Sequence, residues 1–395
     1  MAGPLEGVKV LSFGRVLSGP YAAMLMADMG ADVIKIEDPV KGDLSRGNTP
    51  YIGDLSSYFL SVNRGKKSIA INLRDEKAKE LIKKILPQMD ILIENYRPGI
   101  MKKMGFDYDS VKQLNPRTIY VSISGFGQFG EYSQKPAYDL IAQSMGGTVS
   151  ITGEPGRFPV RVGYSIGDIG AALYATVATM AALYERERTG MGQHIDVAML
   201  DAQVAFCENA FARFFATGNI PQPIGTKHPL VAPFQIFPTQ TDDMAVVTFK
   251  DEDWINLCKV IGKEAWIEDK RFNKMDGRMA NYATLEPMLI EVFRQKTRDE
   301  WLALFEQTGV ITSPVNNIKQ VVMDRHVNSR EMILEVKHKR LGKLKVVGTP
   351  MKFSRTPCSI TKASPDLGEH TDEVLREMLG MSAEDILGLK ENGSI

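Results

Sequence analysis

Asp168 is a lone carboxylate bracketed by glycines, in Val162-Gly163-Tyr164-Ser165-Ile166-Gly167-Asp168-Ile169-Gly170. An uncharged run rich in Ala and Leu, Ala171 to Tyr184, follows it and reads as a buried helix. Two readings of the acid stand side by side. It caps that helix by accepting from the first free backbone amides, or it is a reactive carboxylate that the glycines let backbone and ligand approach. A second acid, Asp139, sits in Lys135-Pro136-Ala137-Tyr138-Asp139-Leu140 and runs on to Gly146-Gly147. Either it caps a helix of its own, or it joins Asp168 and the two divide the roles of nucleophile and acid/base.

Three further stretches have the residue types of a ligand site. The loop Phe13-Gly14-Arg15-Val16-Leu17-Ser18-Gly19-Pro20 precedes Glu37, an acid at the end of the next strand, as in a dinucleotide fold. Its glycines lack the Gly-x-Gly spacing and no Lys-Ser or Lys-Thr follows, so an ordinary βα turn stands equally open and a phosphate loop is excluded. Asn63-Arg64-Gly65-Lys66-Lys67-Ser68 is either a solvated turn or a phosphate clamp. Glu94-Asn95-Tyr96-Arg97-Pro98-Gly99, with Lys102 and Lys103 after it, offers a polar group, an aromatic face and cations at a strand end, which suits a nucleotide.

The elements that position these residues read as a βα-wound first half. Val8 to Phe13 is a strand, Tyr21 to Met29 a helix closed by Gly30, and Asp32 to Glu37 a second strand, which makes a right-handed βαβ unit. Ser68 to Asn72, Asp90 to Glu94 and Arg117 to Ser124 read as further strands, and Glu76 to Leu86 as an amphipathic helix with Ala78, Leu81, Ile82 and Ile85 on one face. The alternation predicts a doubly wound, Rossmann-like α/β lobe with ligands beyond the carboxyl ends of its strands. The texture changes near Thr217. Pro221, Pro223, Pro229, Pro233 and Pro238 punctuate a linker, after which a smaller α+β lobe follows, and the chain loosens again past Asn316.

Composition narrows the function classes. The 395 residues allow two or three domains, and 44% hydrophobic with 24% charged residues is ordinary for a soluble protein. Forty-eight Lys plus Arg balance forty-eight Asp plus Glu, so no global field recruits nucleic acid or an anionic membrane. Cys207, Cys258 and Cys358 are dispersed, which points to a reducing compartment without disulfides, and neither they nor the histidines have the spacing of a zinc site. The N-terminal residues lack the pattern of a signal peptide and no uncharged stretch is long enough to span a bilayer, so the expectation is a cytoplasmic protein.

Taken in order, these stretches resemble the family III CoA-transferases, the group of formyl-CoA, carnitine and bile-acid CoA-transferases and the α-methylacyl-CoA racemases. The matching pieces are Leu5 to Val10, Gly19-Pro20, Gly30 to Glu37, Asn63 to Ser68, Glu94 to Gly99, Tyr138 to Gly147, Gly167-Asp168 and Thr189 to Met199. They span most of the first two hundred residues. The resemblance implies a large CoA-binding lobe from 1–205 and 340–395, linkers at 206–225 and 316–339, a small lobe at 226–315, and two chains interlocked as rings in a homodimer. It makes Asp168 the nucleophile and Asp139 the second acidic position. It assigns Val16, Leu17, Lys66, Asn95, Tyr96, Lys103 and Met199 to binding of CoA, which is a substrate as its thioester and not a resident cofactor. The implied reaction moves CoA from an acyl-CoA to a free carboxylic acid through an aspartyl-acyl anhydride and an enzyme-CoA thioester, with Gly167, Ile169 and Gly170 presenting amides to the oxyanion. No ATP and no metal is needed.

The chain departs from the family pattern in places. The racemase branch pairs its aspartate with a histidine where this chain has Tyr138, and tyrosine, with a pKa near ~10, is a poor base. A racemase or epimerase is therefore the second reading, ahead of a nicotinamide oxidoreductase resting on Glu37 and a non-catalytic CoA-binding protein. Lys227 to Phe234 replaces the tetraglycine loop of the formyl-CoA enzymes, so oxalate is not the expected acceptor; Asp38 replaces an arginine, and Pro136 a lysine with Lys135 beside it. Arg15, Arg161 and Arg213 are the arginines that a substrate carboxylate could meet.

Overall fold

Six strands form the central sheet of the computed structural model, which describes residues 3–395. In chain order they are β1 (Lys9–Ser12), β2 (Asp32–Glu37), β3 (Lys66–Ala70), β4 (Ile91–Glu94), β5 (Ile119–Ser124) and β6 (His194–Ala198). Their spatial order is β3-β2-β1-β4-β5-β6 and every pairing is parallel, with Val10 opposite both Val33 and Ile91. The period-two alternation of a strand explains the layers on either side. Val10, Ile91, Ile93, Val121 and Ile123 pack with Ala22, Ala23 and Met26 of the helix Ser18–Asp28 and with Ala171, Ala172 and Ala175 of the helix Ile166–Thr189. Leu11, Ile34, Leu92 and Tyr120 point the other way, onto Ala78, Leu81, Ile82 and Ile85 of the helix Glu76–Ile85 and onto Val374, Leu375 and Ile386 near the C-terminus. Each buried Leu or Ile contributes about 2 kcal/mol.

Several element bounds differ from the sequence reading, each for a local reason. The helix expected from Tyr21 starts at Ser18, because Pro20 has the backbone angle of a first turn and no amide to waste there. The strand expected from Ser68 starts at Lys66, whose charge reads as turn but whose ammonium is buried in a cage of oxygens. The helix after Asp168 starts at Ile166, so Asp168 is its third residue and not its cap. That helix, Ile166–Thr189, is long and apolar enough to cross a bilayer, which the uncharged stretches alone did not suggest. Its alanines pack on the sheet instead.

The chain divides into two compact units, one of residues 3–148, 161–209 and 325–395, the other of 149–160 and 210–324. The second has a three-stranded antiparallel sheet with Asp243–Val247 between Phe234–Pro238 and Ile311–Pro314, and a core around Trp254, Phe293, Trp301 and Phe305. The stretch expected as a first linker holds the helix Glu208–Thr217. The one expected as a return linker holds the helices Ile318–Met323 and Arg325–Ser329 and the strand Ile333–His338. In the first unit the last of these pairs antiparallel with Gly342–Val347.

Candidate active site

The strand order reverses between β1 and β4, the position where open parallel sheets bind ligands beyond their carboxyl ends. A cleft of about 520 Å3 opens there, walled by Arg15, Val16, Ser18, Asn95, Tyr96, Lys135, Tyr138, Asp168 and Met199. Asp168 projects into it from the first turn of its helix, where an acid also complements the helix dipole. The glycines beside it have packing reasons. A Cβ on Gly170 would intrude on the Phe206 ring, and one on Gly167 would sit 3.0 Å from Asp139 Oδ1. Nor are the amides expected to meet an oxyanion open to one: Gly167 N–H donates to Asp139 Oδ1 at 2.8 Å and Ile169 N–H to Ser165 O at 3.0 Å, while Gly170 lies within the helix.

Asp139 thus caps the helix that carries Asp168. Its Oδ2 accepts from Gln143 Nε2 at 2.7 Å, and Arg161 stands 3.7 Å away. Burial, and then the charge of Asp139, pushes the Asp168 carboxyl up to about 6, against the pull of hydrogen bonds from the Ser18 hydroxyl and backbone N–H. Tyr58, half-buried on the helix Ser57–Val62, is close enough to feel the charges of Asp168, Asp43 and Asp139, and burial with those charges pushes its phenol up to about 12. Sequence reasoning missed Ser18, Tyr58 and Asp43. Ser18 alone left a signal, as a small hydroxyl just before the Gly-Pro that opens a helix.

The loop before that helix is held on all sides. Asn95 Oδ1 accepts from Arg15 N–H at 2.7 Å, and its Nδ2 donates to Arg15 O at 2.8 Å and to Ser18 Oγ at 3.0 Å. The Arg15 guanidinium lies 5.4 Å from the Tyr96 ring centre. Tyr96 N–H donates to Glu94, whose carboxyl burial pushes up to about 7. Val16 holds φ +63°, a left-handed conformation that costs a β-branched residue about 1–3 kcal/mol.

Of the residues the sequence singled out, the cleft brings together Asp168, Val16, Asn95, Tyr96 and Met199, with Arg15 and Lys135. Leu17 is buried as the residue before the helix, and Lys103 is exposed on the short helix Ile100–Met104; neither walls the cleft. Lys66 does not reach it either. Its ammonium donates to Pro20 O, Val62 O and Asn63 Oδ1 at 2.7–2.9 Å, and burial draws its pKa well below the usual lysine range. Arg213 belongs to the second unit, where it lines a separate cavity with Lys227 and His228.

A neighbouring cavity of about 400 Å3 shares Arg15, Leu44 and Tyr96 and adds Lys41, Arg74 and Met104. Asp38 lies in its wall, but its Oδ1 accepts from Val40 and Lys41 N–H, which hold the acid below its usual range. Glu37, the acid that a dinucleotide ribose would need, is filled by Arg46, Ser68 Oγ and Asp43 N–H.

A half-buried carboxylate with a raised pKa over the switch point of a parallel α/β sheet is a setting that suits a nucleophile or a general acid/base. Residues 5–371 match CoA-transferase family III, and the chain belongs to that family. It is 37% identical over 377 residues to the succinyl-CoA:glutarate CoA-transferase of Homo sapiens, covering 95% of this chain and 86% of the relative. It is 38% identical over 353 residues to the acetyl-CoA:oxalate CoA-transferase of Acetobacter aceti, covering 89% and 90%. The crystal structure of a CaiB/BaiF family protein from Brucella suis superposes with a TM-score of 0.87 at 35% identity, over 96% of this chain and 100% of that one.

Proposed function

We propose that this CoA-transferase moves coenzyme A between an acyl-CoA thioester and a free carboxylate through Asp168. The carrying observation is the setting of that acid: it stands in the cleft, partly desolvated, oriented by Ser18 and flanked by Asp139. A carboxylate raised to about 6 is still ionised at neutral pH and is more basic, hence more nucleophilic, than an ordinary one. An Asp168 oxygen adds to the thioester carbonyl; the C–S bond breaks and CoA leaves as thiolate with the electron pair, giving a mixed anhydride. The thiolate then attacks the Asp168 carbonyl carbon and expels the donor acid as its carboxylate, leaving an aspartyl-CoA thioester. The acceptor carboxylate attacks that thioester, freeing thiolate and forming a second anhydride. Thiolate attack on its acyl carbon releases the new acyl-CoA and regenerates Asp168. Every covalent energy is handed on, so no ATP enters.

The Rossmann-like first unit supplies the CoA path in this reading. The pantetheine end runs past Val16, Asn95, Tyr96 and Met199, and the nucleotide end reaches the cations Lys41 and Arg74 of the neighbouring cavity. CoA comes and goes as a substrate. Names of relatives favour dicarboxylate chemistry, with a succinyl or short acyl donor, and Arg15 or Lys135 would face the second carboxylate. No histidine walls the cleft among the described residues, which leaves racemisation without its second acid/base group. A homodimer is supported by the stripe Leu173, Tyr174, Val177 and Tyr184 on the helix Ile166–Thr189, where Val177 and Tyr184 are 66% and 72% exposed. A second copy would cover it, and Val177→Glu should then sediment as monomer.

The test is to mix the protein with succinyl-CoA, trap with hydroxylamine, and read the mass of the peptide holding Asp168. An adduct there, absent from Asp168→Asn, is expected; no adduct with any of a panel of acyl-CoA donors would sink the reading. Glutarate, oxalate and monocarboxylic acids offered as acceptors then set the substrate class.

A further inference from the structure

The strained turn at Val16 has a buried support that the reaction scheme above does not use. Valine keeps a positive φ only where its surroundings over-determine it. Asp43 accepts the Val16 N–H through Oδ1 at 3.0 Å and Oδ2 at 3.3 Å. Lys35 Nζ, fully buried, donates to Asp43 Oδ2 and to Gly14 O, each at 2.6 Å, so one ammonium ties the acid to the chain two residues before the turn. Asp43 is itself oriented by Ser45 N–H at 2.9 Å and by donating its own N–H to Glu37 Oε2 at 2.9 Å. Lys35 and Asp43 also line the neighbouring cavity, but their polar atoms are spent on each other, on Gly14 O, on Val16 N–H and on Ser45, and neither walls the cleft that holds Asp168. Two residues beyond the turn stands Ser18, which receives Asn95 Nδ2 on its hydroxyl and walls the same cleft as Asp168, near enough for its hydroxyl and amide to pull the Asp168 pKa down.

We propose that Asp43 is a positioning residue for the transfer reaction: paired with Lys35, it holds Val16 in the left-handed turn and so sets the Ser18 hydroxyl and amide on the Asp168 carboxylate. The inference rests on the reading of Asp168 as the acyl-carrying group. Hydrogen bonds to an anion are the strong ones, so the placing of the Ser18 hydroxyl and amide bears on which way the carboxylate faces. Without the Asp43 charge, Val16 relaxes toward negative φ and Ser18 swings away. Asp168 then becomes harder to ionise and less well aimed. Other charges face these groups and stay in place. Asp139 and Tyr58 face Asp168, and Lys35, Glu37, Lys66, Tyr58 and Tyr96 face Asp43.

Asp43→Asn keeps the shape and one acceptor but breaks the pairing with Lys35. In single turnovers of the full-length protein with succinyl-CoA, acylation of Asp168 should slow by about tenfold or more, and the acidic limb of kcat/KM should move up by about one pH unit. KM for succinyl-CoA should change by no more than about threefold. Glycine takes positive φ freely, so in a Val16→Gly background the same Asp43→Asn change should cost less than about threefold, a coupling that general destabilisation does not produce. Ser18→Ala should move the acidic limb in the same direction. A folded Asp43→Asn protein that acylates at the wild-type rate with an unmoved limb overturns the proposal, as does an equal loss in both backgrounds. If Asp43→Asn does not fold, an unmoved limb in Ser18→Ala overturns it. Wild-type protein that never acylates Asp168 fails differently: it removes the nucleophile reading first, and this inference with it.

Discussion

Asp139 Oδ1 accepts the Gly167 N–H at 2.8 Å, so the helix that presents Asp168 is capped by an acid from another helix. The same acid raises the Asp168 pKa, second to burial. One side chain therefore bears both on where the Asp168 carboxylate stands and on when it ionises.

These two effects separate by substitution. Asp139→Asn keeps an acceptor for Gly167 and removes the charge, so the acidic limb of kcat/KM should fall while stability changes little. Asp139→Ala removes the cap as well and should lower unfolding free energy by about 1 kcal/mol. Urea titrations and pH-rate profiles of both variants check this. If the limb is unmoved in Asp139→Asn, the charge of Asp139 is not felt at Asp168.

Gly170 tests whether the glycines beside Asp168 serve packing. Alanine is the better helix former by about 1 kcal/mol, yet a Cβ at 170 intrudes on Phe206, and overpacking costs about 1–3 kcal/mol. Gly170→Ala should therefore destabilise in urea. Combined with Phe206→Leu, which frees the space, the same change should stabilise. A loss of equal size in both backgrounds would mean that the Phe206 contact is not what excludes a side chain.

Legibility followed the range of the interactions. Val10, Leu11, Ile91, Leu92 and Ile93 alternate within a few residues, so the strands and their two faces were readable from a short window. The order of motifs was readable too, and it led to the family. Asp43 was not, because Lys35 and Asp43 are eight apart and look like two solvated charges until β2 and the loop after it fold. The flanking glycines misled for a related reason: Phe206 lies thirty-six residues from Gly170, and only packing shows which neighbour a glycine admits. Lys66 is ambiguous by type, since a lysine beside glycine suggests phosphate whereas its three oxygen partners come from Pro20, Val62 and Asn63.

Lys66→Met distinguishes the two roles that the residue type allows. Loss of the ammonium leaves the Pro20 and Val62 carbonyls and the Asn63 amide oxygen without their donor, and each buried unpaired group costs about 1–3 kcal/mol. Relief from burying the charge offsets part of that, so a net loss of about 2–3 kcal/mol is expected. KM for the acyl-CoA of the folded variant should stay within about twofold of wild type. A large rise in KM with unchanged stability would instead make Lys66 a phosphate ligand.

Asp168 should also be a stability liability that grows with pH. Its carboxyl moves from an ordinary 3.8 in the unfolded chain to about 6 in the folded protein. Between those values the folded protein keeps a proton that the unfolded chain has released, so stability is greatest below the lower value and is lost as pH rises through the upper one. The full difference corresponds to at most about 3 kcal/mol, and solvent in the open cleft screens it to about 1–2 kcal/mol. Asp168→Asn has the shape of the protonated acid and nothing to ionise. Its urea midpoint should lie close to wild type near the acid end of the accessible range and above wild type at pH 8, although its transfer activity is gone. A gap between the two proteins that stays constant across that range would show that burial of this carboxylate carries no cost, and that the acid in the cleft is not held ready by desolvation.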